Sequence, residues 1–152
     1  MNPLVIGVGN RWRRDDGIGP CAVAVLSTQL PDEVDAATLD GEPSRLLDAW
    51  AGRSFVLVID AIRTGSPAGT LHRLDGLNDD LCPASSTSSH GPGIAAAVAL
   101  GRALDRLPDR LVVLGLEPDD TSDGDGFSDA VMATFDDLVS RAAEEVLAHV
   151  PQ

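Results

Sequence analysis

The chain contains no lysine and no tyrosine, and all 11 of its basic residues are arginine. The missing amine side chain excludes Walker-type phosphate binding, Schiff-base chemistry and Ser–Lys catalysis, since each of these requires a lysine. Cysteine is also scarce: Cys21 and Cys82 have no CxxC or other metal-type spacing. We therefore expect two reduced thiols in a cytosolic protein.

Long apolar runs are absent as well, because none approaches the ~20 residues of a membrane helix. The N-terminal MNPLVIGVGN lacks the basic region and cleavage site of a signal peptide. A net charge of −13 disfavours nucleic acid and anionic membranes as partners. The sequence thus predicts a cytoplasmic, monomeric protein that forms a single domain over residues 1–152.

Strands and helices alternate along the chain. Apolar runs predict strands at 4–8, 34–39, 55–59, 70–74 and 111–116, of which 70–74 alternates polar and apolar residues and suits an antiparallel edge. Apolar residues at helical spacing predict helices from 17 or 19 to 29, and at 44–51, 92–107 and 131–149. This order predicts a three-layer α/β/α sandwich with a mostly parallel sheet of about five strands.

Polar residues follow the predicted strands. In open α/β sheets ligands bind at the carboxyl ends of the strands, and the residues there are Asn10 through Asp16, Asp40, Glu42, Asp60 and Glu117, with His90 just before a helix. We expect these carboxylates and the one histidine to meet at one edge of the sheet, with no serine or cysteine nucleophile among them.

Each of these residues also has an ordinary structural interpretation. Gly7 and Gly9 begin like a GxGxxG nucleotide fingerprint, but the third glycine position is Trp12 and the turn is acidic. One of the pair Asp15 and Asp16 is expected to cap the first helix. Asp60 suits a turn or a helix cap equally well, and His90 alone suits a loop. His72 and His149 are expected at the surface.

The position of His90 favours metal binding. The positive end of a helix keeps an imidazole neutral, and two carboxylates with a neutral imidazole can form a three-ligand site with open coordination positions. The acidic loop 119–126 does not match a calcium-binding EF-hand loop. The first and last ligand positions of such a loop would be Thr121 and Met132, where the EF-hand pattern has Asp and Glu. We interpret it as a solvated loop.

With these residues assembled, the chain resembles the hydrogenase maturation endopeptidases over nearly its whole length. Five segments in order carry the resemblance: Gly7–Asn10 with Arg13 and 15–19, then 39–41, 58–61, 89–91 and 115–118. The resemblance implies a protease that removes a C-terminal peptide from the nickel–iron hydrogenase large-subunit precursor after nickel insertion. Glu42-Pro43 departs from the family pattern, in which a small residue commonly follows the Asp-Gly pair.

The resemblance also implies the site. Asp16, Asp60 and His90 match the metal-binding positions of the family, and we expect them to complete the coordination of a nickel ion that the precursor supplies, with no organic cofactor. Asn10, Arg13 and Asp40 are expected to support the site or the substrate; for Arg13 a surface ion pair is the favoured role. Two other functions stay open: a non-catalytic, metal-dependent maturation chaperone and a small nucleotide-binding α/β protein.

Overall fold

A computed structural model of the chain describes residues 1–79, 81 and 93–151. Five strands form one sheet in the order β2-β1-β3-β5-β4. The strands are β1 (Leu4–Val8), β2 (Asp35–Leu39), β3 (Phe55–Ala61), β4 (Leu71–Asp75) and β5 (Arg110–Leu116). Only β4 is antiparallel to its neighbour among them, which confirms the mostly parallel sheet and its antiparallel edge.

Four helices cover the two faces of this sheet: α1 (Ile18–Leu26), α2 (Pro43–Trp50), α3 (Gly93–Leu104) and α4 (Asp129–Leu147). α1 and α4 pack on one face in a core with Phe55, Leu57 and Ile59. α2 and α3 pack on the other face with Val56 and Val58. Because apolar residues of β3 point to both faces, its sequence is apolar at nearly every position. The predicted α/β/α layers are confirmed.

The start of α1 differs from the prediction. Residues Arg14–Gly17 form a 3₁₀ turn, and α1 begins after it at Ile18. No side chain caps either element, so the expected capping role of Asp15 or Asp16 is wrong. Both carboxylates are used elsewhere, as described below. α3 begins at Gly93, while Pro92, which we expected at its first position, lies outside the described residues.

The connections leave one topological switch point. β1 leads through α1 to β2 on one side, whereas β3 leads to β4 and β5 on the other side. The connections that leave the adjacent strands β1 and β3 thus run in opposite directions, and in open α/β sheets ligands bind at the carboxyl ends of such a pair of strands. None of the helices in the described part of the chain is long and apolar enough to cross a bilayer.

Candidate metal-recognition site

Asp16 lies at the carboxyl end of β1, on the last turn before α1. Its side chain is buried, with the residue only 1% exposed. Its Oδ2 accepts a hydrogen bond of 3.0 Å from the backbone N–H of Asn10. The turn after β1 therefore folds back and holds the carboxylate at the switch point.

Asp60 lies in the adjacent strand, β3, as its penultimate residue. It is 2% exposed, and its Oδ1 accepts a hydrogen bond of 2.7 Å from the N–H of Ala61. Since side chains alternate along a strand, Asp60 is on the same face as Val56 and Val58, the face that α2 and α3 cover. Asp60 is thus a strand residue and neither a helix cap nor a turn residue.

His90 lies outside the described residues, so its expected role as third ligand stays a prediction. Two observations bear on its neighbourhood. α3, which begins three residues later, packs on the face that carries Asp60. Its first residue, Gly93, is so close to the carbonyl of Gly41, just beyond the end of β2, that a Cβ could not fit. The helix that follows His90 therefore begins at the carboxyl edge of the sheet.

Glycines allow α1 to approach the strands closely. A Cβ on Gly7 would collide with the carbonyl of Gly19, and a Cβ on Gly19 would collide with the carbonyls of Val8 and Ile59. Gly9 has a φ of 142° and lies against the carbonyl of Asp16. These contacts bring the start of α1 and the preceding turn, which carries Asp16, close to the ends of β1 and β3. The glycines therefore serve close packing of the backbone.

Asp15 has a role that sequence reasoning missed. It is fully buried, and its Oδ2 accepts hydrogen bonds from the N–H groups of Asp119 and Asp120 at 2.8 and 2.9 Å. Ser128 donates two more, from its N–H to Oδ1 at 2.8 Å and from its hydroxyl to Oδ2 at 2.7 Å. Asp15 therefore ties the β5–α4 loop to the turn that carries Asp16.

The loop 119–126 is consequently not a freely solvated segment. Besides its bonds to Asp15, its Gly124 pairs with Arg13 as an isolated parallel bridge. The guanidinium of Arg14 lies against Gly124 and donates to the carbonyl of Asp125 at 3.3 Å. In the sequence, the only sign of this anchoring was the presence of two adjacent aspartates, Asp15 and Asp16, because a helix cap requires only one.

The three residues expected in supporting roles lie in different surroundings. Asn10 accepts the N–H of Trp12 through its Oδ1 at 2.9 Å and so shapes the turn beside Asp16. Arg13 lies 3.9 Å from the exposed carboxylate of Asp123, which agrees with a surface ion pair. Asp40 is exposed and pairs with Arg45.

The start of α2 explains the departure at Glu42-Pro43. The N–H of Glu42 and the guanidinium of Arg45 hold the pKa of Asp40 below its usual range. Glu42 caps α2 by accepting the N–H groups of Ser44 and Arg45 at 3.2 and 3.1 Å. Asp40 and Glu42 thus organise this helix start, and neither makes a described contact with Asp16 or Asp60.

Glu117 forms a separate buried cluster at the end of β5. Its carboxylate accepts the hydroxyl and N–H of Thr64 at 2.7 and 2.9 Å, and lies 3.2 Å from Nε2 of His72. His72 is therefore partly buried and paired, and its predicted surface position is wrong. His149 is also partly buried, because its ring stacks on Phe55 at 3.9 Å between centroids. The contacts of both rings come from segments distant in sequence, Glu117 for His72 and Phe55 for His149, so local sequence does not reveal them.

The described residues supply two carboxylates at the switch point and no complete metal cage. Among them, no three His, Cys, Asp or Glu side chains are grouped closely enough to hold a metal ion. Cys21 is a free, partly buried thiol whose pKa burial raises; Cys82 lies outside the described residues. Two buried carboxylates suit a hard or borderline divalent ion that receives its other ligands from elsewhere.

Comparison with known proteins relates this arrangement to one family. Residues 28–145 match the family model for hydrogenase maturation proteases of the HycI type, a match that includes Asp60 and begins after Asp16. The hydrogenase expression/formation protein HupD of Thiocapsa roseopersicina is 28% identical, over 98% of this chain and 67% of its own length. HupD of Bradyrhizobium diazoefficiens is 32% identical, over 81% of this chain and 66% of its own.

A solved structure gives the same relationship. The hydrogenase maturating endopeptidase HybD of E. coli superposes with a TM-score of 0.81 at 28% identity, covering 98% of this chain and 94% of that one. The [NiFe] hydrogenase maturation protease HybD of Thermococcus kodakarensis superposes with a TM-score of 0.78 at 23% identity, covering 96% and 99%. At that lower identity the second match concerns the fold alone.

Proposed function

Since the chain belongs to the hydrogenase maturation protease family and is an endopeptidase of that family, we propose that it recognises nickel held by its substrate through Asp16 and Asp60. The substrate is a hydrogenase large-subunit precursor, and the reaction removes its C-terminal extension after nickel insertion. His90 is the third proposed ligand. The proposal includes cleavage in the cytoplasm by a monomer.

The observation that supports this proposal most is the burial of both carboxylates at one switch point. A buried carboxylate is costly unless donors or a cation compensate its charge. Asp16 and Asp60 each accept a hydrogen bond from a backbone N–H, and a divalent cation bound between them would compensate their charge further.

In the proposed reaction the substrate provides the metal ion and the protease provides carboxylates that bind it. Nickel belongs to the precursor and supplies Lewis acidity next to the scissile peptide. Asp16 and Asp60 bind that ion from fixed positions at the carboxyl edge of the sheet. The scissile peptide of the precursor is thereby oriented relative to that edge. Precursor without nickel lacks part of the contact, and cleavage therefore waits for metal insertion.

The test is cleavage of precursor with and without nickel. Purified protein is incubated with each form, and the large subunit is followed on a denaturing gel. We expect a shortened subunit from the loaded form only. Equal cleavage of the nickel-free form would contradict nickel recognition, and a stable complex without shortening would favour the chaperone alternative.

The nucleotide-binding alternative has a separate test. The turn after β1 carries Asp15 and Asp16 where a phosphate would need neutral or positive groups, and the chain has no lysine. Millimolar ATP–Mg²⁺ or NAD is therefore expected to leave the melting temperature unchanged. A rise of several degrees would support nucleotide binding instead.

A further inference from the structure

The turn that holds Asp16 also presents an exposed tryptophan. Trp12 is 62% exposed, whereas the chain's other tryptophan, Trp50, is fully buried. An indole is the side chain most enriched at the energetic centres of protein interfaces. An exposed indole beside a site that must receive a folded protein is therefore a candidate contact for that protein.

The backbone of Trp12 is fixed on both sides. Its N–H donates to Oδ1 of Asn10 at 2.9 Å, and its carbonyl accepts the N–H of Gly124 at 2.9 Å. The N–H of Asn10 in turn donates to the Asp16 carboxylate. The base of the indole is thus positioned relative to Asp16 before any partner binds, which lowers the entropy that binding must remove.

A positive charge accompanies the indole. The guanidinium carbon of Arg11 lies 5.0 Å from the centroid of the Trp12 ring, within the range of a cation–π contact. Arg13 and Arg14, the other arginines of this turn, face Asp123 and Asp120. Arg11 has no ion pair among the described residues, so it offers a positive charge on a molecule whose net charge is −13.

We propose that Trp12 and Arg11 form a docking surface for the large-subunit precursor. The indole packs against an apolar side chain of the precursor, and the guanidinium pairs with a neighbouring carboxylate. This inference rests on the proposed function, since it requires the precursor as substrate. The docking surface acts on the protein part of the substrate, so it contributes to binding whether or not nickel is present.

The test is the kinetics of Trp12→Ala with nickel-loaded precursor. We expect KM to rise about tenfold, with kcat within about twofold of the wild-type value. Trp12→Phe restores part of the affinity, because a phenyl ring keeps some of the apolar contact. Arg11→Ala raises KM by a smaller factor, and that factor shrinks at high salt.

Leu104→Ala is the matched control. Leu104 is 53% exposed at the end of α3, away from the carboxyl edge where that helix begins. Its truncation removes a comparable exposed apolar group and is expected to leave KM and kcat unchanged. Calorimetric titration with nickel-free precursor gives a second readout, in which Trp12→Ala weakens binding by the same factor as it raises KM.

The outcomes separate this inference from the proposed function. Normal cleavage by the wild type with an unchanged KM for Trp12→Ala would overturn the docking surface and leave the proposed function intact. A lower kcat at unchanged KM would also overturn it, because the residue would then act through Asp16. A wild type that neither binds nor cleaves the precursor would overturn both.

Discussion

Asp60 allows a substitution of nearly the same shape that removes its charge. It lies at the end of β3, where an amide of the same shape can still accept the N–H of Ala61. Asp60→Asn is therefore expected to fold normally and to cleave loaded precursor at least about 100-fold more slowly, since even the outer-shell partners of metal ligands contribute roughly 10–100-fold. The initial rate of subunit shortening measures this.

Asp75→Asn is the control for that substitution. Asp75 also ends a strand, but β4 is antiparallel, so Asp75 lies at the opposite edge and pairs in register with Val112. Its variant is expected to cleave at the wild-type rate. Equal activity of both variants would show that Asp60 does not contact the metal.

His149 makes the stability of the fold depend on pH in a predictable direction. Burial against Phe55 and the nearby Arg110 lower the pKa of His149. As the pH falls below the ordinary value of about 6.5, the unfolded chain takes up this proton before the folded chain does. The contribution of His149 is thus present above that pH and is lost as the pH falls through the folded pKa.

His149→Phe tests this, because it keeps a ring on Phe55 and cannot titrate. The free energy of unfolding in urea, measured from pH 7.5 to 5, is expected to fall less steeply in the variant than in the wild type. The difference between the two curves removes the contributions of the other histidines. Parallel curves, or a wild type that gains on the variant as the pH falls, would contradict this account.

At the scale of elements, Asp15 connects two loops that are far apart in sequence. It accepts four hydrogen bonds from residues at least 104 positions away. Asp15→Asn replaces one acceptor oxygen with a donor group and is expected to lower the free energy of unfolding by about 3 kcal/mol. Ser128→Ala removes only one of these donors and is expected to cost about 1.5 kcal/mol.

The double variant makes this prediction specific. Because both substitutions act on the same cluster, the loss in the Asp15→Asn/Ser128→Ala protein is expected to be smaller than the sum of the single losses. Urea denaturation of the four proteins gives the coupling. If the losses in free energy of unfolding were strictly additive, Asp15 and Ser128 would contribute independently. That result would contradict the hydrogen bonds between them.

The close approach of α1 to the sheet gives a second prediction for an element. Gly7→Ala places a methyl group on the backbone of Gly19, so α1 must move and carry Asp16 with it. The expected cost is about 1–3 kcal/mol of stability, together with a marked loss of cleavage activity at a temperature where the variant is folded.

Gly65→Ala is the control, because Gly65 has a φ of 90° and nothing within 4 Å of an added Cβ. Its methyl group strains the backbone at a cost of roughly 1–3 kcal/mol, but moves no element of the site. A Gly65→Ala protein as inactive as Gly7→Ala would indicate that lost stability, and not the position of α1, causes the defect.

For the molecule as a whole, the sequence predicted the layers better than the contacts between loops. Phe55 to Ile59 is apolar at each position, so a central strand was evident, and the alternation at 70–74 indicated the antiparallel edge. Asp60 was recognised as a strand-end residue from that run alone. The partners of Asp15 and Glu117 come from distant segments, and no local pattern in the sequence encodes such pairing.

The errors have the same physical origin. His72 was expected at the surface because it lies on an edge strand, and His149 because it lies near the C-terminus. The ring of His72 instead pairs with Glu117, and the ring of His149 stacks on Phe55. The capping role expected of Asp15 and Asp16 was wrong because a 3₁₀ turn intervenes before α1. Tertiary contacts decided each of these cases.

A crystal structure of the protein soaked with nickel shows directly whether Asp16 and Asp60 bind the ion. We expect one ion that is bound jointly by Asp16, Asp60 and His90, at about 2 Å from each ligand atom. The pair of His72 and Glu117, also an imidazole and a carboxylate, serves as an internal control and is expected to bind none. A nickel ion at that pair, or an ion elsewhere with Asp16 and Asp60 too far apart to share it, would contradict the account.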